Sequence, residues 1–296
     1  MRRTINGRNF FLEEDEFVNG IPLAIELDEK IYDTVSPFQK IEIYKTTNSG
    51  LMLVLDGVIQ TVELDEFVYH EMFVHVPVNA HPAPEKVLVV GGGDGGLLRE
   101  LARYSFIKEI SIVEIDEAVI ETSKRFLPFV SKGFDDSRVN VIIDDGARFI
   151  DACEKTFDLI LVDSSDPSGP SEVLFGTDFY KAMRRALKPG GIAVAQAQNI
   201  WINFKDIIAP LYRKASDFFK TVEYYYAGVP TYTSGQIGFL ACSEAGSLRE
   251  PLSTPADFIL SSLKYYTPEI HRQSFTLPAF AGRILNENSA GRVQHL

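Results

Sequence analysis

Four aliphatic residues, Val87-Leu88-Val89-Val90, run directly into Gly91-Gly92-Gly93-Asp94-Gly95-Gly96, and Leu97, Leu98, Leu101 and Ala102 follow as the start of a helix. An apolar run without polar alternation reads as a strand buried on both faces. Glycines at the turn that leaves such a strand let the backbone approach a ligand closely. The arrangement fits dinucleotide sites and methyltransferase-type nucleoside sites, and it also serves as a tight structural turn. The texture repeats downstream: Ile110 to Ile115, Val139 to Ile143, Leu159 to Val162 and Ile192 to Ala195 are short apolar runs separated by amphipathic helices. One of these helices carries Phe179, Met183 and Leu187 and stops at Lys188-Pro189-Gly190-Gly191. Alternation of this kind implies parallel βαβ units, here with five parallel strands. Val222 to Tyr226 and Gln236 to Ala241, joined by the turn-prone segment 230–235, are expected as an antiparallel edge pair.

The first part of the chain reads differently. From Ile21 to Val62 there are short strands, with alternation at Ile41-Glu42-Ile43 and turn chemistry at Asn48-Ser49-Gly50 and Asp56-Gly57. Asp65 is placed to cap a helix through Phe67, Tyr69 and Phe73, which Pro77 is expected to end before His81-Pro82-Ala83-Pro84. The expected organisation is an α/β fold of two domains. Residues 1–80 form a small antiparallel β domain with a following helix, and residues 81–296 a Rossmann-like, methyltransferase-type catalytic domain with a C-terminal tail.

Charge narrows the partners. The 296 residues carry 41 acidic and 29 basic side chains, a net charge of -12, which opposes a phosphate backbone and favours small cations such as amines. No run reaches the length of a membrane helix, and the opening residues lack a signal peptide's apolar block, so the expected location is the cytoplasm. Cys153 and Cys242 lack C-x-x-C spacing and read as small apolar residues. His70-Glu71-Met72-Phe73-Val74-His75 is one residue too long for the zinc helix motif, so no metal is expected and His75 reads as a helix-end residue.

Acids stand at the carboxyl end of each early strand, the edge where open α/β sheets bind ligands. Asp94 lies inside the glycine turn, where a carboxylate repels a phosphate or the carboxylate of intact S-adenosylmethionine and suits an ammonium. Glu114 ends the second strand, where an acid accepts ribose hydroxyls, whereas Asp116 reads as a helix cap. Asp144-Asp145-Gly146 follows the third strand and is either an acceptor for an adenine amino group or a polar turn. The fourth ends in Asp163-Ser164-Ser165-Asp166-Pro167, which offers a base and an anchor a short loop apart, or a capping turn.

Together with Asp65 to Met72, Leu55 to Gln60, Pro230 to Gly238 and Leu263 to Tyr266, these segments resemble the signatures of the spermidine synthase (polyamine aminopropyltransferase) family over most of the chain. The resemblance implies that decarboxylated S-adenosylmethionine, a co-substrate, gives its aminopropyl group to putrescine, with no cofactor or metal. It implies that Gln39, Asp94, Glu114, Asp145, Gly146 and Pro170 hold the donor, that Tyr69, His70, Asp163, Asp166 and Tyr232 surround the acceptor amine, and that Asp163 takes its proton. It further implies a homodimer or homotetramer. Three departures stand out: Phe10 where many relatives have tryptophan, Thr233 in place of a frequent proline, and Gln198 in place of an acid on the acceptor side. The last leaves cadaverine or agmatine as alternative acceptors. An amine N-methyltransferase on the same scaffold and a non-catalytic polyamine-binding protein are the other readings, opposed by Asp94 and by Asp163 respectively.

Overall fold

The computed structural model describes residues 2–13, 21–164, 173–202 and 204–290, with side chains to residue 285. Six strands form an antiparallel meander in sequence order: β1 (Arg2–Ile5), β2 (Arg8–Glu13), β3 (Leu23–Val35), β4 (Lys40–Thr46), β5 (Leu51–Leu55) and β6 (Val58–Val62). β1 and β2 precede the stretch in which the sequence suggested strands. The two turns read from sequence join β4 to β5 and β5 to β6, and the second holds Asp56 and Gly57 at φ 48 and 87, the left-handed pair that a tight hairpin requires. Ile41, Glu42 and Ile43 are all buried, so the alternation does not mark a wet face. One side of this sheet packs Tyr44, Met52 and Val54 on Phe11, and the other packs Ile41, Ile43 and Leu53 on Val119, Leu127 and Val130 of the larger body.

Helix α1 (Glu66–Ala80) follows β6 and continues through Pro77 instead of ending there. A proline in the last turn removes a single backbone bond, and the His81 N–H still closes on the Pro77 carbonyl. Nearly every residue of α1 is buried, and Val68, Met72, Phe73 and Val76 join the apolar cluster beneath the larger sheet. Asp65 makes no side-chain cap. Its carboxylate instead accepts from the Thr231 N–H at 2.8 Å and the Thr231 hydroxyl at 2.6 Å.

The larger sheet contains β7 (Lys86–Gly91), β8 (Glu109–Glu114), β9 (Val139–Ile143), β10 (Phe157–Asp163), β11 (Leu187–Gln196), β12 (Thr221–Gly228) and β13 (Gln236–Ser243), in the order β12-β13-β11-β10-β7-β8-β9. β7 to β11 are mutually parallel, and β13 and β12 complete the edge as an antiparallel pair. Side chains alternate between two cores: Val87, Val89, Leu159 and Leu161 face one, Leu88, Val90, Ile160 and Val162 the other. Burial on both faces is why these strands read as unbroken apolar runs. β11 begins at Leu187 rather than Ile192, because Lys188 to Gly191 form a bulge between the Phe157↔Leu187 and Leu159↔Ile192 pairings.

Four helices bear on the site: α2 (Gly96–Leu101) after β7, α3 (Glu117–Phe126) after β8, α4 (Pro128–Ser131) and, after β9, α5 (Gly146–Asp151). The C-terminal tail is tied down by Glu71 of α1, whose carboxylate accepts the N–H groups of Lys264, Tyr265 and Tyr266, each at 2.8 Å. Among the described residues, no helix is long and apolar enough to cross a membrane.

Candidate active site

The carboxyl ends of the parallel strands open onto a cavity of about 520 Å³ roofed by residues of the N-terminal sheet. Its floor depends on glycine. Gly91, at φ 78, passes so close to β10 that an added Cβ would lie 2.1 Å from the Asp163 carbonyl, and the Gly92 N–H donates to that carbonyl at 2.9 Å. Asp94, two residues on, is buried. Its Oδ1 accepts from Gly96 N at 2.9 Å, and its Oδ2 accepts from the Thr61 hydroxyl of β6 at 2.6 Å and lies 3.3 Å from His70 Nε2. Burial alone would raise the Asp94 carboxyl, but the His70 charge and these bonds outweigh it and hold it down at about 2.

Glu114, the last residue of β8, points into the same cavity and accepts from the Asp116 N–H at 3.0 Å. Burial, with Asp116 and Asp163 adding like charge, raises it to about 7. Asp116 caps α3, as its position suggested, and also accepts from Gln39 Nε2 at 2.9 Å and from the Ser36 hydroxyl at 2.7 Å. That pair of bonds fixes Gln39 at the cavity wall. Asp145 caps α5 with one oxygen, accepting from Ala147 N at 2.8 Å and Arg148 N at 3.1 Å. Gly146 packs beneath Val90, where a Cβ would meet a methyl group at 2.4 Å.

Asp163 ends β10 on the opposite side of the glycine turn. The Tyr69 hydroxyl donates to its Oδ1 at 2.5 Å. Burial and the nearby Asp94 raise the Asp163 carboxyl to about 6, against the Tyr69 bond and the His70 charge, which pull it down. Tyr232 packs its ring 5.9 Å from that of Tyr69 and donates its hydroxyl to the Gln60 carbonyl at 2.6 Å. His70 lies beside the two carboxylates, and the polar side-chain atoms of His70, Asp94 and Asp163 all fall within 4.8 Å of one another. Burial would lower its imidazole, yet Asp94 and Glu66 outweigh burial and raise it to about 10.

The structure thus brings Gln39, Tyr69, His70, Asp94, Glu114, Asp145, Gly146, Asp163 and Tyr232 to one cavity. Asp166 and Pro170 lie outside the described residues. Gln198 also lines the cavity, in a left-handed backbone conformation (φ 55) whose carbonyl accepts from Gly238 N and the Tyr224 hydroxyl, both at 2.8 Å. His75 is not at a helix end: it is fully buried within α1, 2.6 Å from the Tyr104 hydroxyl and 3.1 Å from Glu100. Sequence reasoning missed Glu66, Arg99, Thr61 and Glu13. The Glu66–His70 spacing of four within a helix was a readable signal for the first. Nothing local distinguishes Thr61 or Arg99. Glu13 reaches the cavity only because β2 folds back over it, accepting from Ile59 N at 2.8 Å and the Thr233 hydroxyl at 2.6 Å.

Acids at the ends of successive parallel strands, around one cavity with a buried Asp163 carboxyl raised to about 6, make a candidate group-transfer site on a Rossmann-like sheet. Comparison with known proteins gives the class a family. The spermine/spermidine synthase domain matches residues 66–250, and the spermidine synthase tetramerisation domain matches residues 10–63. The spermidine synthase of Dictyostelium discoideum is 41% identical over 94% of this chain and 97% of its own. The spermine synthase of Saccharomyces cerevisiae is also 41% identical, over 92% and 94% respectively. A crystal structure of a spermidine synthase in complex with the transition state analogue AdoDATO superposes with a TM-score of 0.89 at 34% identity, covering 94% of this chain and 95% of that one. The chain belongs to the spermine/spermidine synthase family and is an aminopropyltransferase of polyamine biosynthesis.

Proposed function

We propose that this enzyme is a spermidine synthase, which transfers the aminopropyl group of decarboxylated S-adenosylmethionine to putrescine and releases 5'-methylthioadenosine. The observation that carries the reading is the facing pair of Asp94 and Asp163 across the glycine turn. One carboxylate is held ionised and suits the ammonium of the donor; the other is raised by burial to where it can take a proton. In this reading Glu114 accepts the ribose hydroxyls, Asp145 and Gly146 border the adenine, and Gln39 closes the donor side. Tyr69, His70 and Tyr232 border the acceptor, with Asp166 and Pro170 given their family roles by resemblance.

The step is a direct displacement. The acceptor nitrogen loses a proton to Asp163, its lone pair forms the new C–N bond, and the C–S bond breaks with its electrons passing to the sulfonium sulfur. Proximity and deprotonation carry the catalysis, and no group beyond the two substrates enters the balance. The match of residues 10–63 to a tetramerisation domain supports a homo-oligomer, a homodimer or homotetramer, and we place it in the cytoplasm.

Similarity does not separate acceptors, since a spermidine synthase and a spermine synthase are equally identical to this chain. The test is mass analysis of products after incubation with either the decarboxylated or the intact donor and putrescine, cadaverine, agmatine or spermidine. Spermidine made from putrescine, with strong preference for the decarboxylated donor, is expected. Preferred use of spermidine assigns the enzyme as a spermine synthase, and methylated products from the intact donor overturn the proposal.

A further inference from the structure

His70 is the one imidazole at the cavity among the described residues, and both of its ring nitrogens face carboxylates. Nδ1 lies 2.7 Å from Glu66 Oε2 and Nε2 lies 3.3 Å from Asp94 Oδ2. Glu66 is ionised by its partner: Arg99 donates to both of its oxygens, at 2.8 and 2.9 Å. Asp94 is ionised as well, with donors from Thr61 and Gly96 on its two oxygens. An ionised carboxylate accepts and cannot donate, so each ring nitrogen must carry a hydrogen, and a ring with two N–H groups is an imidazolium. The ring is also locked in place, since it occupies the space at Gly96 where a Cβ would come within 2.3 Å of Cε1 and Nε2.

We propose that His70 is a fixed buried cation whose charge drives the acceptor nitrogen at Asp163 into its neutral, nucleophilic form, with Glu66 and Arg99 as positioning residues that maintain that charge. The inference rests on Asp163 being the proton acceptor. An amine held against Asp163 sits within a few ångströms of the imidazolium, and a like charge at that range disfavours the ammonium state; the same charge lowers the Asp163 carboxyl and so keeps it ionised and open to the proton, while burial, which raises that carboxyl, supplies its affinity for it. The charged and titratable groups facing the ring are Glu66 and Tyr69 from α1, Asp94 from the glycine turn, Arg99 from α2 acting through Glu66, and Asp163 from β10. Both ring nitrogens already carry hydrogen, so His70 has no site for the substrate proton. The proton goes to Asp163, the nitrogen lone pair is freed, and the imidazolium is unchanged at the end of the step. Its role is therefore distinct from that of a base and from that of an amine ligand.

Two measurements test this. The first is nitrogen-resolved NMR of the His70 ring in the intact enzyme, which needs no turnover: both nitrogens should remain protonated to pH 9, and a neutral tautomer at pH 8 overturns the inference even if the enzyme transfers no aminopropyl group. The second is the pH dependence of kcat and of KM for putrescine in the wild type, His70→Gln and Glu66→Gln, with folding checked by binding of 5'-methylthioadenosine. In His70→Gln, kcat near pH 7 should fall about ten- to a hundredfold while KM falls too, because the ammonium is now better tolerated, and kcat should recover as pH rises. Glu66→Gln should follow the wild type at low pH and approach His70→Gln at high pH, where the ring loses its proton. A His70→Gln profile that superimposes on the wild type, or a pH-independent loss with raised KM, overturns the proposal. Absence of any amine product from the wild type counts instead against the proposed function.

Discussion

The hydroxyl of Tyr69 donates to Asp163 Oδ1 at 2.5 Å, so a phenol from α1 holds the carboxylate at the end of β10, ninety-four residues away in sequence. A buried phenol beside a buried carboxylate stays protonated and stabilises the ionised acid; burial drives Tyr69 itself well above its ordinary value. Tyr69→Phe removes that donor and leaves burial and Asp94, opposed by the His70 charge alone, to act on Asp163. The acid limb of kcat/KM against pH, which reports the free enzyme and is expected near 6 in the wild type, should move up by about one unit or more, in line with about 1.5–3 kcal/mol for a hydrogen bond to a charged group. An unmoved limb would show that another group sets it.

Asp163→Asn keeps the shape of the site and removes the proposed proton acceptor. Turnover at saturating substrate should fall by roughly 10²- to 10⁴-fold, with binding of the nucleoside product retained. Stopped kcat assays paired with calorimetric titration of 5'-methylthioadenosine separate the two effects. Near-normal turnover would exclude the role.

Glu114 is buried and raised to about 7, which makes it a cost to the unliganded fold at neutral pH. Its folded value lies above its unfolded value, so the stability it contributes is complete below about 4.5 and is lost as pH rises through about 7. Glu114→Gln should therefore stabilise the free enzyme at pH 8, on the order of 2–3 kcal/mol, and leave it unchanged at pH 4. Denaturant unfolding at the two pH values checks this. The same variant should bind the nucleoside more weakly, having lost the proposed acceptor for the ribose hydroxyls.

Gln198 faces the cavity with its backbone pinned by Gly238 and Tyr224, so a glutamate there inherits the same aim. Gln198→Glu should tighten putrescine by about 1 to 2 kcal/mol, roughly five- to thirtyfold, by restoring a charge for the ammonium that is not deprotonated. Titration of putrescine with 5'-methylthioadenosine bound measures it. Unchanged affinity would remove Gln198 from the acceptor contacts.

Gly96→Ala inserts a methyl group at the His70 ring. The clash falls on a ring whose two nitrogens are held by Glu66 and Asp94, and overpacking of this kind costs about 1–3 kcal/mol. Thermal unfolding should register the loss, and donor binding should weaken because Thr61, His70 and Gly96 together orient Asp94. A variant as stable and as tight-binding as the wild type would mean that the ring can move aside freely.

Local sequence carried the fold a long way. The five parallel strands follow from apolar runs, buried on two faces in all but the half-exposed edge strand β9, the hairpin at Asp56-Gly57 from left-handed turn chemistry, and the acids of the site from their place at strand ends, a consequence of connectivity alone. It erred where a neighbour distant in sequence decided the outcome. Pro77 does not end α1, because packing beneath the sheet retains the last turn; Asp65 is claimed by Thr231 rather than by the helix; and Ile41-Glu42-Ile43 is buried throughout because α3 and α4 cover the isoleucines while Lys30, Lys40 and Tyr44 close over Glu42 on the face that alternation would leave wet.

Strand-end position marked Asp94, Glu114, Asp145 and Asp163 as acids of one edge, because period and turn chemistry are properties of a few consecutive residues. Their protonation was settled only in three dimensions. Asp94 and Asp163 are both aspartates beside one glycine turn, yet one is held at about 2 by His70, Thr61 and Gly96, and the other is raised to about 6 by burial and by the first. Thr61 comes from the N-terminal sheet, His70 from α1 and Arg99 from α2, and a charge in a buried site responds to whatever lies within a few ångströms regardless of distance along the chain.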